Sequence, residues 1–330
     1  MIQLQPNTLF HNHYTLVRLI GRGGFSEVWL AQDKYTGLEL ALKIYAPNGG
    51  LDSDGIEAFA GEICRVYNLN HPNLLKPQHF DVCDGMPYLV MPYCANGSVT
   101  KRAGHISEDE IWNVLHDVAA GLAYLHENNI VHQDIKPDNI LQAAAGHYLI
   151  SDFGISARTR ATLSKTQSMN NIGSGTAAYM APERFSTNPA PTFASDVWAL
   201  GATLYELITG SVPFGDGTLP GGLLQKNGAE VPDIQGDYSE QLKHLIGLMI
   251  AINPWDRPAA VVLENEKRVS STPLTEFKGK LPESCDSIAG TQKEDEIGLG
   301  SIIFRVLFGI LIFIAVGGIF LAFLATLTQI

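Results

Sequence analysis

Three short stretches constrain this chain of 330 residues more than any other feature. They are Gly21-Arg22-Gly23-Gly24-Phe25-Ser26-Glu27-Val28 near the start, His132-Gln133-Asp134-Ile135-Lys136-Pro137-Asp138-Asn139 in the middle, and Asp152-Phe153-Gly154 shortly after. Glycines between two strand-like runs make a turn whose backbone amides stand clear of side chains, so a bulky anion can approach them. Carboxylates, a lysine and an asparagine packed into one loop supply both metal-type oxygen ligands and a direct cation. Any one stretch could arise by chance in a glycine-rich chain; the three in this order and spacing point to one architecture.

Hydrophobic periodicity lays out that architecture. Alternation predicts strands over 14–20, 27–32 and 39–44, a helix over 56–69 closed by His71-Pro72, and further strands over 78–82 and 88–91. Downstream, Ile111, Val114, Leu115, Val118, Leu122 and Leu125 recur at helical spacing over 108–127, opened by Ser107 with Glu110 three residues later as a capping box. Similar patterns over 193–209 and 240–251 make the second half mainly helical. The expectation is an α+β fold with a small β-rich amino-terminal lobe and a larger α-helical lobe.

Composition excludes several classes. With 45% hydrophobic residues the chain can bury a large core, and a formal net charge of −12 argues against a nucleic-acid partner. The cysteines Cys64, Cys83, Cys94 and Cys285 form no CxxC pair, and the ten histidines show no ligand spacing, so neither a disulfide framework nor a zinc site is expected. Residues 1–13 lack a basic stretch followed by an apolar core and read as a polar leader, not a secretory signal.

The other end differs. Residues 306–328, opening at Val306 and closing at Thr328, carry no charged side chain. As a helix they would span ~34 Å at ~1.5 Å per residue, enough for a hydrocarbon core of ~30 Å. Lys293 and Arg305 lie on the amino-terminal flank, which orients that side to the cytoplasm in a tail-anchor arrangement, with a single pass through the lipid bilayer. Gly318, Ala322 and Thr326 repeat at four-residue spacing, a small-residue face suited to self-association. Residues 269–300, rich in Ser, Thr, Pro, Gly, Lys and Glu, read as a flexible juxtamembrane linker.

Over about 14–268 the chain resembles eukaryotic-type serine/threonine protein kinases, and with its membrane segment it is similar to bacterial members of that family. The resemblance implies an amino-terminal lobe over about 14–91, a hinge at 91–94 and a carboxy-terminal lobe over about 95–268. It implies ATP as substrate and magnesium, or manganese in its place, as the metal. Gly21, Arg22, Gly23, Gly24, Phe25 and Ser26 would cover the phosphates, Val28 and Ala41 would pack on the adenine, Met91 would back it, and the Pro92 carbonyl and Cys94 amide would hydrogen-bond it. Lys43, in Ala41-Leu42-Lys43, would reach the α- and β-phosphates and pair with Glu62 on the following helix, with Glu57 the other glutamate near enough. Asp134 would be the base, Lys136 the contact to the γ-phosphate, Asn139 and Asp152 the metal ligands, and Thr176 a partner of Asp134 and Lys136.

The same resemblance assigns Gly175 to Glu183, with Lys136, to the serine/threonine class acting on protein substrates. Glu183 and Arg257 are expected as a buried ion pair. Two positions depart from the family pattern: Ser26 stands where a third glycine is usual, and Gln133 replaces the arginine of His-Arg-Asp. A neutral glutamine cannot make charge-assisted hydrogen bonds to a phosphorylated activation segment. These departures leave open a pseudokinase scaffold at the membrane, and a kinase acting on small molecules is a third reading.

Overall fold

The computed structural model describes residues 3–23, 25–144, 146–153, 175–186 and 190–268. The expected linker over 269–300 and membrane helix over 306–328 lie outside them; among the described residues no helix is long and apolar enough to cross a membrane.

The first lobe is a six-stranded antiparallel sheet in the order β1-β2-β3-β4-β6-β5. Its strands are β1 (Leu9–Phe10), β2 (Tyr14–Arg22), β3 (Ser26–Asp33), β4 (Glu39–Tyr45), β5 (His79–Cys83) and β6 (Met86–Pro92). Five of the six match the alternation in the sequence. The sixth, β1, comes from the stretch expected to be a leader: Leu9 pairs with Thr15 and Phe10 with Tyr14, and Phe10 is fully buried. Two residues are too short to show a period, so only the pairing reveals the strand.

Parity along β4 explains where Lys43 goes. Successive side chains in a strand point to opposite faces. Leu42 and Ile44 join Phe10, Leu16, Trp29 and Tyr88 in one apolar cluster. Ala41 and Tyr45 join Phe59, Ile63, Leu89 and Met91 in another, on the opposite side. Lys43 shares the parity of Ala41 and Tyr45, which is the side covered by helix α1 (Ser53–Tyr67).

Helix α1 begins earlier than its apolar residues suggest, because Asp52 caps it, accepting the Gly55 amide at 2.8 Å. The polar first turn Ser53-Asp54-Gly55 carries no hydrophobic period, hence the expected start at 56. Phe59, Ile63 and Val66 form its buried stripe, each contributing about 1.5–3 kcal/mol by leaving water.

The second lobe is built on α2 (Glu108–Glu127) and α3 (Phe193–Thr209), with α4 (Gly221–Lys226), α5 (Glu240–Met249) and α6 (Ala260–Glu264) around them. All six apolar positions picked out along α2 are buried, and the Ser107–Glu110 capping box is present. α3 runs through the core with Trp198, Leu200 and Leu204 fully buried. Gly222 in α4 lies against the 180–182 backbone so closely that a Cβ would meet the Met180 carbonyl at 2.4 Å, which backs that segment with a helix. A hairpin, β7 (Ile140–Ala144) and β8 (His147–Ile150), follows the Asp134 loop. Its Ala-rich turn carries no period-2 signal, and sequence reading does not find it.

Candidate active site

The glycine turn is closed by the Gly23 amide donating to the Ser26 carbonyl at 2.8 Å. Gly21 and Gly23 have ordinary negative φ, and a Cβ on either would meet nothing nearer than 3.6 Å. Among the described residues, neither backbone conformation nor packing requires glycine there. The remaining physical reason is close approach by something else, which fits a phosphate chain lying along the amides. Gly24 lies outside the described residues. The Arg22 guanidinium pairs with Glu27 at 2.9 Å while its side chain stays 67% exposed. Glu27, in turn, accepts from the Trp29 indole at 2.9 Å.

Phe25, Val28, Ala41, Met91 and Cys94 all belong to one apolar cluster, and Leu141 and Leu149 join it from the second lobe. Residues expected to embrace an adenine are thus brought together, with Leu141 of β7 as a contributor that sequence reading missed. Its signal was positional, two residues beyond Asn139. Burial raises the Cys94 thiol above its ordinary pKa, so it stays neutral and suits an apolar wall. Pro92 ends β6 opposite Leu40, one residue beyond the Ala41–Met91 pair, so the missing N–H interrupts nothing.

The polar side of the cleft is assembled from four segments. Lys43, 8% exposed, forms an ion pair with Asp152. A buried ammonium needs a counter-charge, and the carboxylate of Asp152 supplies one. Glu62 lies partly buried on α1 between Phe59 and Ile63. Asp152 itself has φ +62, a left-handed conformation uncommon for a non-glycine residue and often found at functional sites.

Around Asp134, Lys136 Nζ stands 3.2 Å from Oδ1, and the Asn139 amide donates to the Asp134 carbonyl at 2.7 Å and to Oδ2 at 3.1 Å. The Asn139 carbonyl accepts from the Ser151 amide at 2.8 Å, tying this loop to the residue before Asp152. His132 completes the tie. Its Nδ1 accepts the Asp134 amide at 3.2 Å and its Nε2 donates to the Ser151 carbonyl at 3.0 Å. Those partners fix a neutral imidazole with the proton on Nε2. The Thr176 side chain lies outside the described residues, although its backbone sits in the 3₁₀ turn Gly175–Tyr179.

Two buried braces hold this loop and the segment after 175. Asp196 of α3, 1% exposed, accepts the amides of His132 and Gln133 at 2.8 Å each and faces His126 Nε2 at 2.9 Å. Arg257, whose side chain is fully buried, meets Glu183 through two bonds of 2.8 and 2.9 Å, and gives its other donors to the carbonyls of Ala194, Ala251 and Ile252. The expected Glu183–Arg257 pair is therefore present, with every guanidinium nitrogen engaged. Burial pushes the Glu183 carboxyl up, but the hydrogen bonds and charge of Arg257 outweigh it and the net shift is downward.

A two-lobed fold with a lysine, two aspartates and an asparagine converging on an apolar cleft defines a nucleotide-dependent phosphotransferase architecture. The family model for the protein kinase domain matches residues 14–267, so this chain belongs to the protein kinase family. It is 34% identical over 204 residues to the serine/threonine-protein kinase PrkC of Bacillus subtilis, covering 61% of this chain and 31% of that one. It is 31% identical over 286 residues to sporulation-specific protein 1 of Saccharomyces cerevisiae, covering 85% and 57%. With sperm motility kinase 2B of Mus musculus it shares 29% over 280 residues, covering 84% and 55%. The chain thus spans between about a third and a little over half of the length of these relatives.

Proposed function

We propose that this chain is a membrane-anchored serine/threonine protein kinase that moves the γ-phosphoryl group of ATP onto Ser or Thr hydroxyls of proteins. The observation that carries the reading is the convergence of Asp134, Lys136 and Asn139 on one loop with the Lys43–Asp152 pair. Asp134 accepts the proton of the attacking hydroxyl and holds that oxygen in line; Lys136 meets the γ-phosphate charge directly, and Lys43 the α- and β-phosphates. Asn139 and Asp152 would hold magnesium, which supplies neutralisation of the phosphate charge. Lys43 is then shared between Asp152 and the nucleotide, and Glu62 on α1 is its partner in the working state.

Serine/threonine rather than small-molecule specificity is supported by the Gly175 to Glu183 segment, with Lys136 in the loop, and by relatives named as serine/threonine kinases. Membrane attachment through 306–328, with the kinase domain in the cytoplasm, is supported by the length and composition of that run and by Lys293 and Arg305 on its flank.

The test is transfer of labelled γ-phosphate with magnesium, to the chain itself and to a generic protein, against a folded Asp134→Asn control. Loss by ~10²–10⁴-fold in the control, with label on Ser or Thr, is expected of a positioned base. Nucleotide binding without any transfer would make the scaffold the better reading. Extraction of the protein from membranes by alkaline carbonate would sink the anchor.

A further inference from the structure

A second cavity, of about 320 Å³, opens where the last turn of α2, the first turn of α3 and the start of α6 meet. Carbon makes most of its wall, through Ala123, Phe193, Val197 and Val261 among others. Phe193 and Val261 are 42% and 50% exposed, so the wall opens to solvent on an apolar edge. The Phe193 ring stacks on His126 with the centroids 4.4 Å apart. A benzene-sized group occupies a cavity of ~150 Å³, so this one has room for two fused rings, or for one ring with a short chain.

Three titratable side chains share the wall: His126, Glu127 and Arg257. Arg257 has no donor to spare, since Glu183 and the carbonyls of Ala194, Ala251 and Ile252 take them all. His126 donates from Nε2 to Asp196 at 2.9 Å, which leaves Nδ1 an acceptor in the neutral ring. Glu127 is exposed, and among the described residues its carboxylate takes part in no hydrogen bond or ion pair. Its charge is felt by His71, but burial holds that imidazole below its ordinary pKa and toward the neutral form, so it supplies Glu127 with no lasting counter-charge. Every side-chain donor in the wall is thus taken, while acceptors and one negative charge stay open. An occupant has carbon to lie on, and its polar end must bring N–H donors and a positive charge.

We infer that this cavity is a binding site for a small aryl-alkylamine, with its rings against Phe193 and Val261 and its ammonium at Glu127. The consequence reaches the cleft. His126 leans on Asp196, which holds the His132 and Gln133 amides, and Arg257 holds Glu183. A ligand packed against both side chains restrains both braces, so the amine acts on the order of the Asp134 loop from outside the cleft.

The experiment titrates the purified whole chain, without nucleotide, with tryptamine and with naphthylmethylamine. Tryptophol and indolepropionate are run beside them, since they put a hydroxyl or a carboxylate where tryptamine has its ammonium. Calorimetry on the wild type and on Val261→Trp, which fills the open edge, gives a difference free of uptake elsewhere on the chain. Val261 and Glu127 are both exposed, so their variants should keep the fold, as thermal unfolding will verify. The expected result is saturable one-to-one binding of at least one amine that Val261→Trp removes. Tryptophol on the wild type, and the amine on Glu127→Gln, should each bind about fivefold more weakly, the upper end for an exposed ion pair, and indolepropionate should not bind. No difference between wild type and Val261→Trp for either amine would overturn the site. Equal affinity for tryptamine and tryptophol, or no change in Glu127→Gln, would overturn the ligand class. Hydrogen exchange reads the coupling: the amine should slow exchange severalfold at amides of 124–127 and 194–198, and unchanged exchange would overturn the link to the braces. None of these readouts needs phosphoryl transfer, so a catalytically silent chain that still binds the amine would remove the kinase reading and leave this one standing.

Discussion

The amide of Gln133 donates to Asp196 across 2.8 Å, although Gln133 holds a left-handed backbone with φ +70 that costs energy in a residue with a Cβ. The buried carboxylate offsets that cost, and it does so one residue before Asp134. Asp196→Asn preserves shape but turns one acceptor into a donor facing an amide. The expected effect is a stability loss of about 1–3 kcal/mol and at least a tenfold fall in phosphoryl transfer, read by urea unfolding and turnover on the same preparation. Unchanged turnover in a destabilised protein would mean that the clamp serves only the fold.

For Glu183 and Arg257 a double-mutant cycle is decisive. Removing one partner leaves a buried charge uncompensated and should cost about 3–5 kcal/mol, while Glu183→Gln with Arg257→Met together should cost clearly less than the sum. Additive losses would show that the pair is not coupled.

The glycine turn separates folding from binding. Gly23→Ala fits its surroundings, with no atom nearer than 3.6 Å, and its φ is not left-handed. Stability should hold or rise by about 0.4–1 kcal/mol, while affinity for an ATP analogue falls several-fold in a titration. Equal loss of both would point to a packing role.

Two carboxylates give opposite pH signatures. Burial raises Glu206 above its ordinary 4.5, with the Asp138 charge adding to it and a hydrogen bond from Tyr179 opposing it. Its protonated form is favoured by folding, so this contribution is present below pH 4.5 and is lost as pH rises through the folded value. Relative to Glu206→Gln, the wild type should therefore lose stability as pH rises from about 4 toward neutral. Glu183 is shifted downward, so its contribution holds above 4.5 and disappears as pH falls through the lower folded value. Stability curves of Glu183→Gln against wild type should converge in acid and diverge toward neutral pH.

Gln133 also bears on control. Replacing Thr159, Thr162, Ser164, Thr166, Ser168 and Ser174 by alanine should leave transfer within a few-fold of wild type, since no arginine at 133 awaits a phosphate there. Abolished activity in a folded protein would overturn this.

Much of this was legible from local pattern. The α2 stripe, its capping box and the five longer strands of the sheet follow from periodicity and turn chemistry, and the Glu183–Arg257 pair follows from the family resemblance. What escaped depends on distance along the chain. Lys43 chose Asp152, 109 residues away, because burial selects a counter-charge by position in space. Asp196 reads in sequence as one acid in a helix; only folding places it under the His132 and Gln133 amides. Leu9–Phe10 and the β7–β8 hairpin are too short, or too rich in alanine, for a period to show.

Asn73 to Leu75, just after α1, is stitched to β8: the Ile150 amide donates to the Asn73 carbonyl at 2.9 Å, and the Leu75 amide to the Ile150 carbonyl at 2.8 Å. Ile150 stands two residues before Asp152. The carboxy-terminal end of α1 is thus fastened next to that aspartate, and the opposite end is held by the Asp52 cap and by the Leu51 amide donating to the Gly85 carbonyl between β5 and β6 at 2.7 Å. Helix α1 is therefore tied to the first lobe at one end and to the second lobe at the other, so a change in the angle between the lobes must tilt it. Glu62 lies between the two ties and moves with that tilt relative to Lys43 on β4.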